Sequence, residues 1–446
     1  MTRVLSLDLG TSSVRARVYD ELATPVEGVE ARRPYEPVAG LLDANLLVEA
    51  ARAAVADVQH QHGEPIDAYA TSCFWHSLLA LDASDRPLTP VLMWRDLRSA
   101  PNAAELGRRL DGEAVHARTG CFLHPSYWPA KLAWLQREEP DTFRRAARFV
   151  SFPDYLLLHL AGELRSSLSQ TSATGLWGRG DWDAELLDAL GLEEERLPPV
   201  SDEPVDGWFP ALGDGACSNV GAGCVTPERA ALMIGTSGAL RVVRPDDASP
   251  PKPGLFLYRL DAARVVEGGS LSDGGNLHAW LERTLRLPEG DSRVAEREPD
   301  SHGLTFLPLL GGERSPGWRA DARGAIAGLT FDTEPLDLLQ AALEGVAYRF
   351  AEIADLLPGV LEVVATGGAL DASPDWTQIL ADVLGRPIYR GEAEGSARGA
   401  AVVALERLGI PVATPLPGDA FVPRPERQEA YRLARERQRN LYRGVT

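Results

Sequence analysis

The sequence contains almost no lysine: among its 45 basic residues only Lys131 and Lys252 are lysines. Lys131 follows Ala130 and Lys252 follows Pro251, so neither stands in the Gly-Lys-Ser/Thr step of a P-loop. If the chain binds a nucleotide, it must therefore hold the phosphates by other means.

Cysteine is also scarce, and long apolar runs are lacking. The four cysteines occur without a CxxC pair, which argues against a disulfide framework and against a zinc site. No apolar run approaches the roughly 20 residues of a membrane-spanning helix, and the first residues lack the features of a signal peptide. We therefore expect a cytoplasmic protein without a membrane partner.

The charge balance excludes another class of partner. With 64 acidic and 45 basic residues the formal net charge is −19, which repels nucleic acid and favours small molecules as ligands. The length of 446 residues suits two domains of about 200 residues each. We predict domains at residues 1–221 and 222–446 and leave open whether the chain forms a homodimer.

One segment of the sequence occurs twice in altered form. Residues 7–18 include Asp-Leu-Gly-Thr-Ser-Ser, and residues 233–243 include Ile-Gly-Thr-Ser-Gly. Each copy is typical of a strand, a tight turn and a second strand, and the backbone N–H groups of such a turn can cradle phosphate oxygens. Either copy alone is also typical of an ordinary hairpin turn. The repetition favours two phosphate loops that face each other across a cleft.

The remaining pattern indicates an α/β fold. Alternating apolar residues predict strands at 3–10 and 13–20, and helical spacing predicts a helix at 45–60. The apolar stretch 66–74 predicts a strand that delivers Trp75 and His76 to a turn. In the second half we predict a hairpin at 231–243, strands at 254–260, 264–268 and 361–365, and helices at 274–285, 335–356, from 395 onward and at 424–443.

Two aspartates are candidates for chemistry. Asp8 ends the first strand two residues before the first loop, where a carboxylate can hold Mg²⁺, directly or through water, against phosphates. It can equally cap the turn. Asp214 lies in a glycine-rich segment between the halves, where it can take the proton from an attacking hydroxyl. By itself, an aspartate between two glycines more often marks a turn.

Aromatic and glycine-rich segments provide candidate binding surfaces. The turn Gly367–Ala369 follows an apolar strand and suits a site where a ring or ribose lies against backbone. Trp75, His76 and the segment 94–98 combine flat surfaces with polar groups, as a polyhydroxylated ligand requires. An apolar-flanked histidine such as His76 is, taken alone, more often a core residue.

Together these segments resemble the FGGY carbohydrate kinases, which belong to the superfamily of sugar kinases, Hsp70 and actin, over essentially the whole chain. The most specific string is Gly-Glu-Arg-Ser-Pro at 312–316, followed by Ala-Arg-Gly at 322–324. The residues themselves suggest no role for that string. The resemblance implies two RNase H-like α/β domains with an interdomain cleft and an ATP-dependent sugar kinase.

The resemblance also implies roles for individual residues. Asp214 is the implied general base, Asp8 lies near the implied Mg²⁺, and ATP and the sugar are the implied substrates. The implied ATP contacts are Gly10, Thr11, Ser12, Ser13, Gly235, Thr236, Ser237, Gly367, Gly368 and Ala369. The implied sugar contacts are Trp75, His76, Asp96, Arg98 and Asp214.

Within the family, several details resemble gluconate kinases. They include His76-Ser77-Leu78, Thr119-Gly120 with His124-Pro125, and Asp214-Gly215. This implies phosphorylation of D-gluconate to 6-phosphogluconate, whose carboxylate requires a cation, either Arg98 or Lys131.

Other functions remain open on sequence grounds. A kinase for xylulose, another ketose or a polyol is the alternative within the family. From other classes, the alternatives are an ATP-dependent conformational switch without catalysis and a sugar-binding regulator.

Overall fold

The computed structural model describes residues 1–36, 41–287, 294–391, 395–415 and 418–445. In the first half the strands are β1 (Val4–Leu9), β2 (Ser13–Tyr19), β3 (Pro25–Pro34), β4 (Ala68–Cys73), β5 (Leu79–Leu81), β6 (Arg148–Val150) and β7 (Leu212–Gly213). The helices are α1 (Ala44–His62), α2 (Ala100–Arg109), α3 (Gly112–Thr119), α4 (Trp128–Glu138), α5 (Pro140–Arg145), α6 (Phe152–Ala161), α7 (Leu168–Ser172), α8 (Ala184–Leu190) and α9 (Asp214–Gly221).

The second half is also a mixture of strands and helices. Its strands are β8 (Arg229–Ile234), β9 (Gly238–Pro245), β10 (Phe256–Arg259), β11 (Arg264–Leu271), β12 (Thr305–Leu307), β13 (Ala325–Ala327), β14 (Glu362–Thr366), β15 (Ile388–Arg390) and β16 (Ala420–Phe421). Its helices are α10 (Gly275–Thr284), α11 (Pro335–Asp355), α12 (Gly368–Ala372), α13 (Pro374–Leu384), α14 (Gly395–Arg407) and α15 (Gln428–Val445). Within the described ranges, no helix is both long and apolar enough to cross a membrane.

The same five-stranded arrangement occurs in both halves. The first sheet has the order β3-β2-β1-β4-β7, and the second contains β11-β9-β8-β14-β15 with β10 and β16 added at its edges. In each sheet the first three strands are antiparallel and the next two run parallel to the central one. The predicted α/β duplication is therefore confirmed.

The repeated Gly-Thr-Ser segments form matching turns. Gly10 N–H donates to Ser13 O at 3.1 Å between β1 and β2, and Gly235 N–H donates to Ser237 O at 3.0 Å between β8 and β9. The predicted hairpins are confirmed, with ends that differ by one or two residues. Each loop thus projects from the end of a buried central strand.

The glycine-rich segment around Asp214 is a helix, although its composition is typical of a turn. Glycine disfavours helix formation by about 1 kcal/mol per residue, but here it permits close packing of α9 against α14. A Cβ on Gly221 would lie 1.8 Å from Gly395 O, and one on Gly399 would lie 1.8 Å from Cys217 O. Tertiary contact therefore overrides local preference.

Helix α14 comes from the second half of the chain but packs on the first sheet. Ser6 Oγ, on β1, donates to Ala397 O at 2.7 Å. One apolar cluster contains buried residues of both sheets and of α14, including Val4, Val243 and Ala401. The two halves therefore share a core, and the boundary at 221/222, at the end of α9, stays a prediction.

We predict that Gly399→Ala lowers the free energy of unfolding by about 2–3 kcal/mol, because the added methyl group overpacks the α9–α14 contact. Chemical denaturation measures this directly. Gly107→Ala is the matched control, since Gly107 lies in α2 with open space around it and should be neutral or slightly stabilising. Equal stability of the two variants would contradict the proposed packing constraint.

Candidate active site

Two carboxylates lie near the ends of parallel strands of the first sheet. Asp8 on β1 is paired in register with Ser72 on β4, and Cys73 is paired with Gly213 on β7, which directly precedes Asp214. Because parallel strands end at the same edge of a sheet, Asp8 and Asp214 flank the end of β4. Ser72 Oγ donates to Asp8 Oδ1 at 2.9 Å.

The first loop is supported from the side by Tyr35. Its backbone N–H donates to Ser12 O at 3.0 Å, and its hydroxyl donates to Gly10 O. Gly10 and Thr11 line a cavity, Ser12 is exposed at the tip, and Ser13 is the buried first residue of β2. The loop therefore presents its glycine and threonine to the cavity.

The second loop is tied to the start of α10. Gly275 N–H donates to Gly235 O at 2.8 Å, and Asn276 N–H donates to Thr236 O at 3.1 Å. Gly235, Thr236 and Ser237 line the same cavity as the first loop. The structure thus brings together the two loops that the repeat predicted.

A larger cleft of about 1020 Å³ adjoins the second loop. Gly368 and Ala369 form part of its wall, whereas Gly367 shapes the turn that precedes them. Gly367 has a φ of +104°, and a Cβ there would lie 2.5 Å from Ile234 O, so only glycine fits. The other lining residues are Gly235, Thr236, Gly275, Asn276, His278, Ala279, Glu282, Ala372, Ser373, Pro374, Asp375 and Trp376.

A smaller cavity of about 250 Å³ lies between the two loops and Asp214. Trp75 and His76, which follow β4, line it. The cavity also includes Phe74, Trp94, Ser126, Tyr127, Met233, Gly238, Ala239, Arg241, Phe256, Tyr258, Ser270, Arg314 and Trp318. Its size lies just below the range of drug-sized ligand sites and suits a small acceptor molecule.

Trp75 helps to set the position of the strand that leads to Asp214. Its indole Nε1–H donates to Ser169 O at 3.0 Å. A Cβ on Gly213 would lie 1.8 Å from the indole ring, and one on Gly215 would lie 2.5 Å from it. The two glycines beside Asp214 are therefore required by the tryptophan that packs on them.

His76 is held in an unusual backbone conformation, with a φ of +66°. Lys131 Nζ donates to His76 O at 2.5 Å, which ties the turn to α4. The imidazole contacts Ala173 O through Nδ1 at 2.6 Å, and because a carbonyl only accepts, Nδ1 carries the proton. Burial lowers the pKa of His76 to about 3, so the ring is neutral and Nε2 is an acceptor.

Asp214 is a partly buried carboxylate at the first position of α9. Burial raises its pKa above the ordinary aspartate value, while the positive charge of Arg241 and the Gly215 N–H oppose that rise. The Gly215 N–H donates to Asp214 Oδ1 at 2.7 Å. A carboxylate of raised pKa that lines a cavity is suited to accept a proton from a bound hydroxyl.

The structure does not bring Asp96 and Arg98 into the lining of the cavity. Arg98 is exposed, and its Nε donates to Asp96 Oδ1 at 2.8 Å, so the two residues pair with each other. Lys131 is buried, and its Nζ is engaged by the backbone oxygens of His76 and Leu92. The predicted sugar contacts of Asp96 and Arg98 therefore gain no support from their placement.

Two arginines that sequence reasoning did not assign do line the cavity. Arg314, from the Gly-Glu-Arg-Ser-Pro string, donates from Nη2 to Leu271 O at 2.6 Å and stacks over Trp94, with Cζ 4.7 Å from the ring centroid. Arg241 lies on β9, three residues after Gly238, which is the first residue of that strand. In the sequence, the family-specific string could have identified Arg314 as a candidate site residue. Arg241 could have been identified as a charged residue within an apolar strand.

The residues near the loops fit a magnesium ion that is held mainly by phosphates. No group of three or more histidine, cysteine, aspartate or glutamate side chains able to hold a metal ion occurs in the described part of the chain. Mg²⁺ is usually bound by one or two carboxylates together with substrate phosphates and water. Asp8 beside the first loop supplies a carboxylate of that kind.

The sequence matches a known protein family over both halves of the chain. Residues 3–203 match the N-terminal domain of the FGGY family of carbohydrate kinases, and residues 230–406 match its C-terminal domain. Gluconokinase from Bacillus subtilis (strain 168) is 30% identical, with 91% of this chain and 88% of that protein covered. Xylulose kinase from Escherichia coli (strain K12) is also 30% identical, with 98% of each covered.

Solved structures agree with these matches. The gluconate kinase from Lactobacillus acidophilus superposes with a TM-score of 0.90 at 25% identity, covering 100% of this chain and 98% of that chain. A ligand-bound xylulose kinase from the same organism gives a TM-score of 0.91, also at 25% identity and with the same coverage. The whole chain therefore shares its fold with these kinases.

We predict that Gly368→Leu weakens ATP binding more than tenfold, because the open space beside Gly368 is where we expect the nucleotide to lie. Gly368→Ala should give an intermediate loss. Isothermal titration with ATP measures both, and an unchanged melting temperature of the free protein would show that the fold is intact. Unaltered ATP affinity in Gly368→Leu would exclude this wall of the cleft from the nucleotide site.

Proposed function

The chain belongs to the FGGY family of carbohydrate kinases, and we propose that it transfers the γ-phosphoryl group of ATP to the terminal hydroxyl of D-gluconate, forming 6-phosphogluconate. The observation that carries the proposal is the 250 Å³ cavity, in which both Gly-Thr-Ser loops meet Asp214 and His76. The similarity to gluconokinases supports the acceptor. Because the donor is ATP, we also propose a cytoplasmic location.

In this proposal the nucleotide lies along the larger cleft. The adenosine contacts Gly368 and Ala369, and the phosphates reach the two loops at Gly10–Ser13 and Gly235–Ser237. Backbone N–H groups then take the place of the P-loop lysine that the sequence lacks. Mg²⁺ near Asp8 would neutralise charge on the phosphates during transfer.

Asp214 acts as the general base. Its carboxylate takes the proton of the terminal hydroxyl as that oxygen attacks the γ-phosphorus; the new O–P bond forms while the bond to the β-phosphate oxygen breaks and ADP leaves. General-base assistance of this type contributes on the order of 10²–10⁴-fold in rate. An acceptor that fills the cavity limits the access of water, which would otherwise compete with it.

His76 and Trp75 bind the acceptor. A neutral imidazole whose Nδ1 is engaged by Ala173 O has Nε2 free to accept a hydrogen bond from a sugar hydroxyl, and the indole provides a flat apolar wall. The positive φ of His76 and its tie to Lys131 fix the ring before the sugar arrives. Such preorganisation lowers the entropic cost of binding.

The second candidate is a kinase for xylulose. The Escherichia coli xylulose kinase matches at the same identity as the Bacillus subtilis gluconokinase and covers more of this chain. Gluconate and xylulose differ chiefly in charge, so the electrostatics of the cavity separate the two candidates. The lining residues include two arginines and a single carboxylate, which favours the anionic acceptor.

An assay of ADP release with Mg²⁺-ATP tests the proposal against a panel of gluconate, xylulose, ribulose, sedoheptulose, glycerol and no acceptor. We expect gluconate to give the highest kcat/KM by at least tenfold, since it alone among these acceptors carries a carboxylate. Turnover restricted to another sugar would retain the kinase and overturn gluconate. Turnover independent of any acceptor would overturn both.

We predict that Asp214→Asn lowers kcat at least 10²-fold while ATP still binds, because the amide cannot accept the proton. Asp188→Asn, an exposed aspartate on α8, is the matched control and should keep full activity. Steady-state kinetics and ATP titration measure the two effects. Near-wild-type turnover in Asp214→Asn would remove Asp214 from the mechanism.

The pH dependence follows from the same carboxylate. Asp214 acts only when ionised, and burial raises its pKa. The pH profile of kcat at saturating substrates should therefore have an acid limb, on which kcat falls about tenfold per pH unit below the pKa of Asp214. That pKa lies above the ordinary aspartate value of about 3.9. The residual activity of Asp214→Asn should lack that limb. If the limb persists in the variant, it belongs to a different group.

A further inference from the structure

The acceptor cavity is positively charged within a strongly acidic protein. The chain carries a net charge of −19, yet Arg241 and Arg314 line the cavity against one carboxylate, Asp214. His76 adds no charge, since burial lowers its pKa to about 3. The excess of positive charge is therefore local to this cavity and calls for an anion in it.

Arg241 is the more buried of the two arginines. Its side chain is buried, with 4% of the residue exposed, and its Nε donates to Asn219 Oδ1 at 3.2 Å. Its Nη2 is buried and has no hydrogen-bond partner. Burial lowers the pKa of Arg241, and the charge of Asp214 opposes that fall only in part, so the guanidinium carries a desolvation cost.

The surrounding backbone makes room for this side chain. A Cβ on Gly215 would lie 2.8 Å from Arg241 Nη1, and one on Gly268 would lie 2.8 Å from Arg241 Cγ. Asn219 Nδ2 also donates to Arg241 O at 3.0 Å. Glycines on α9 and β11 and the amide of Asn219 therefore hold an arginine whose buried Nη2 has no hydrogen-bond partner.

Arg241 enters the acceptor cavity from β9. It lies three residues beyond Gly238, about 10 Å further along the strand at roughly 3.4 Å per residue, and Ala239, on the same face as Arg241, also lines the cavity. The guanidinium lies against α9, since a Cβ on Gly215, the residue after Asp214, would lie 2.8 Å from Nη1. An acceptor in this cavity therefore lies among the two loops, Asp214 and the Arg241 guanidinium.

We propose that Arg241 is the residue that binds the carboxylate of a sugar-acid acceptor and selects it over neutral sugars. This inference rests on the proposed function and names the specificity determinant of that site. The Nη edge of a guanidinium matches the two oxygens of a carboxylate. Binding the acid pairs the buried charge, and a neutral ketose does not.

The other cations are less suited to this role. Arg314 is engaged by Leu271 O and by the face of Trp94. Arg98 is exposed and paired with Asp96, and Lys131 donates to two backbone oxygens behind His76. Arg314 also has a buried Nε without a hydrogen-bond partner, but its Nη2 is engaged, whereas Arg241 presents a buried Nη2 without a partner.

The test compares Arg241→Met with the wild-type enzyme on gluconate and on xylulose. We expect kcat/KM for gluconate to fall about 10²–10³-fold, the effect of removing one partner of a buried charge pair, chiefly through KM. Because Arg241 also lowers the pKa of Asp214, the rates are compared well above the acid limb of each variant, where kcat/KM for xylulose should fall at least tenfold less than the value for gluconate. Arg241→Lys, which keeps the charge and loses the planar fork, should be intermediate.

Thermal unfolding separates binding from a structural role. Without ligand, Arg241→Met should melt at or above the wild-type temperature, since it removes a buried charge that carries a desolvation cost, and gluconate should no longer raise that temperature. Arg244→Met is the control on the same strand, because Arg244 lies outside the cavity lining and pairs with Glu267 at 3.1 Å. It should lower the melting temperature and leave the gluconate KM unchanged.

The outcomes distinguish this inference from the proposed function. If the wild-type enzyme phosphorylates neutral acceptors only, gluconate is not the substrate and the proposed function fails. If the wild-type enzyme uses gluconate and Arg241→Met and Arg241→Lys keep its KM, the assignment of Arg241 alone fails. The assignment of Arg241 also fails if the variants lose activity equally on all acceptors and the acid limb of their pH profile is displaced. Arg241 would then act through the pKa of Asp214.

Discussion

The contact between α9 and α14 is the constraint on which the rest of this structure depends. Gly221 and Gly399 allow the two helices to approach until a single methyl group would collide with backbone. Helix α9 begins with Asp214 and carries Asn219, which accepts a hydrogen bond from Arg241, so its position sets the proposed base and the proposed anion site together. Helix α14 fixes that position from the other side and joins the two sheets into one core.

The acceptor cavity illustrates how a protein keeps charges ready for a ligand. The pKa of His76 is lowered, that of Asp214 is raised and that of Arg241 is lowered, and in each case burial is the main cause. Each of these conditions costs stability in the empty protein, and the proposed sugar-acid ligand would relieve part of that cost. Function and packing therefore compete here, as is common at active sites.

Much of the fold could be predicted because hydrophobic periodicity and the repeated Gly-Thr-Ser motif are local signals. The hairpins β1–β2 and β8–β9 and the long helices α1 and α11 follow from them. Helix α9 could not be predicted, because its glycines favour a turn and only contact with α14, nearly 180 residues away in sequence, makes it a helix. In the sequence Arg241 stands out only as a charged residue on an apolar strand, because the lack of a hydrogen-bond partner for its buried Nη2 is visible only in the structure.

The crossing of α14 onto the first sheet also bears on how the chain is made. A ribosome releases β1 to β7 long before residue 407, and at about 5–20 residues per second the delay is roughly ten to forty seconds. Throughout that interval one face of the first sheet, around Ser6 and Val4, lacks the helix that covers it in the finished protein. The nascent amino-terminal half therefore keeps part of its apolar surface exposed, and its core is completed only by the arrival of its own distant sequence.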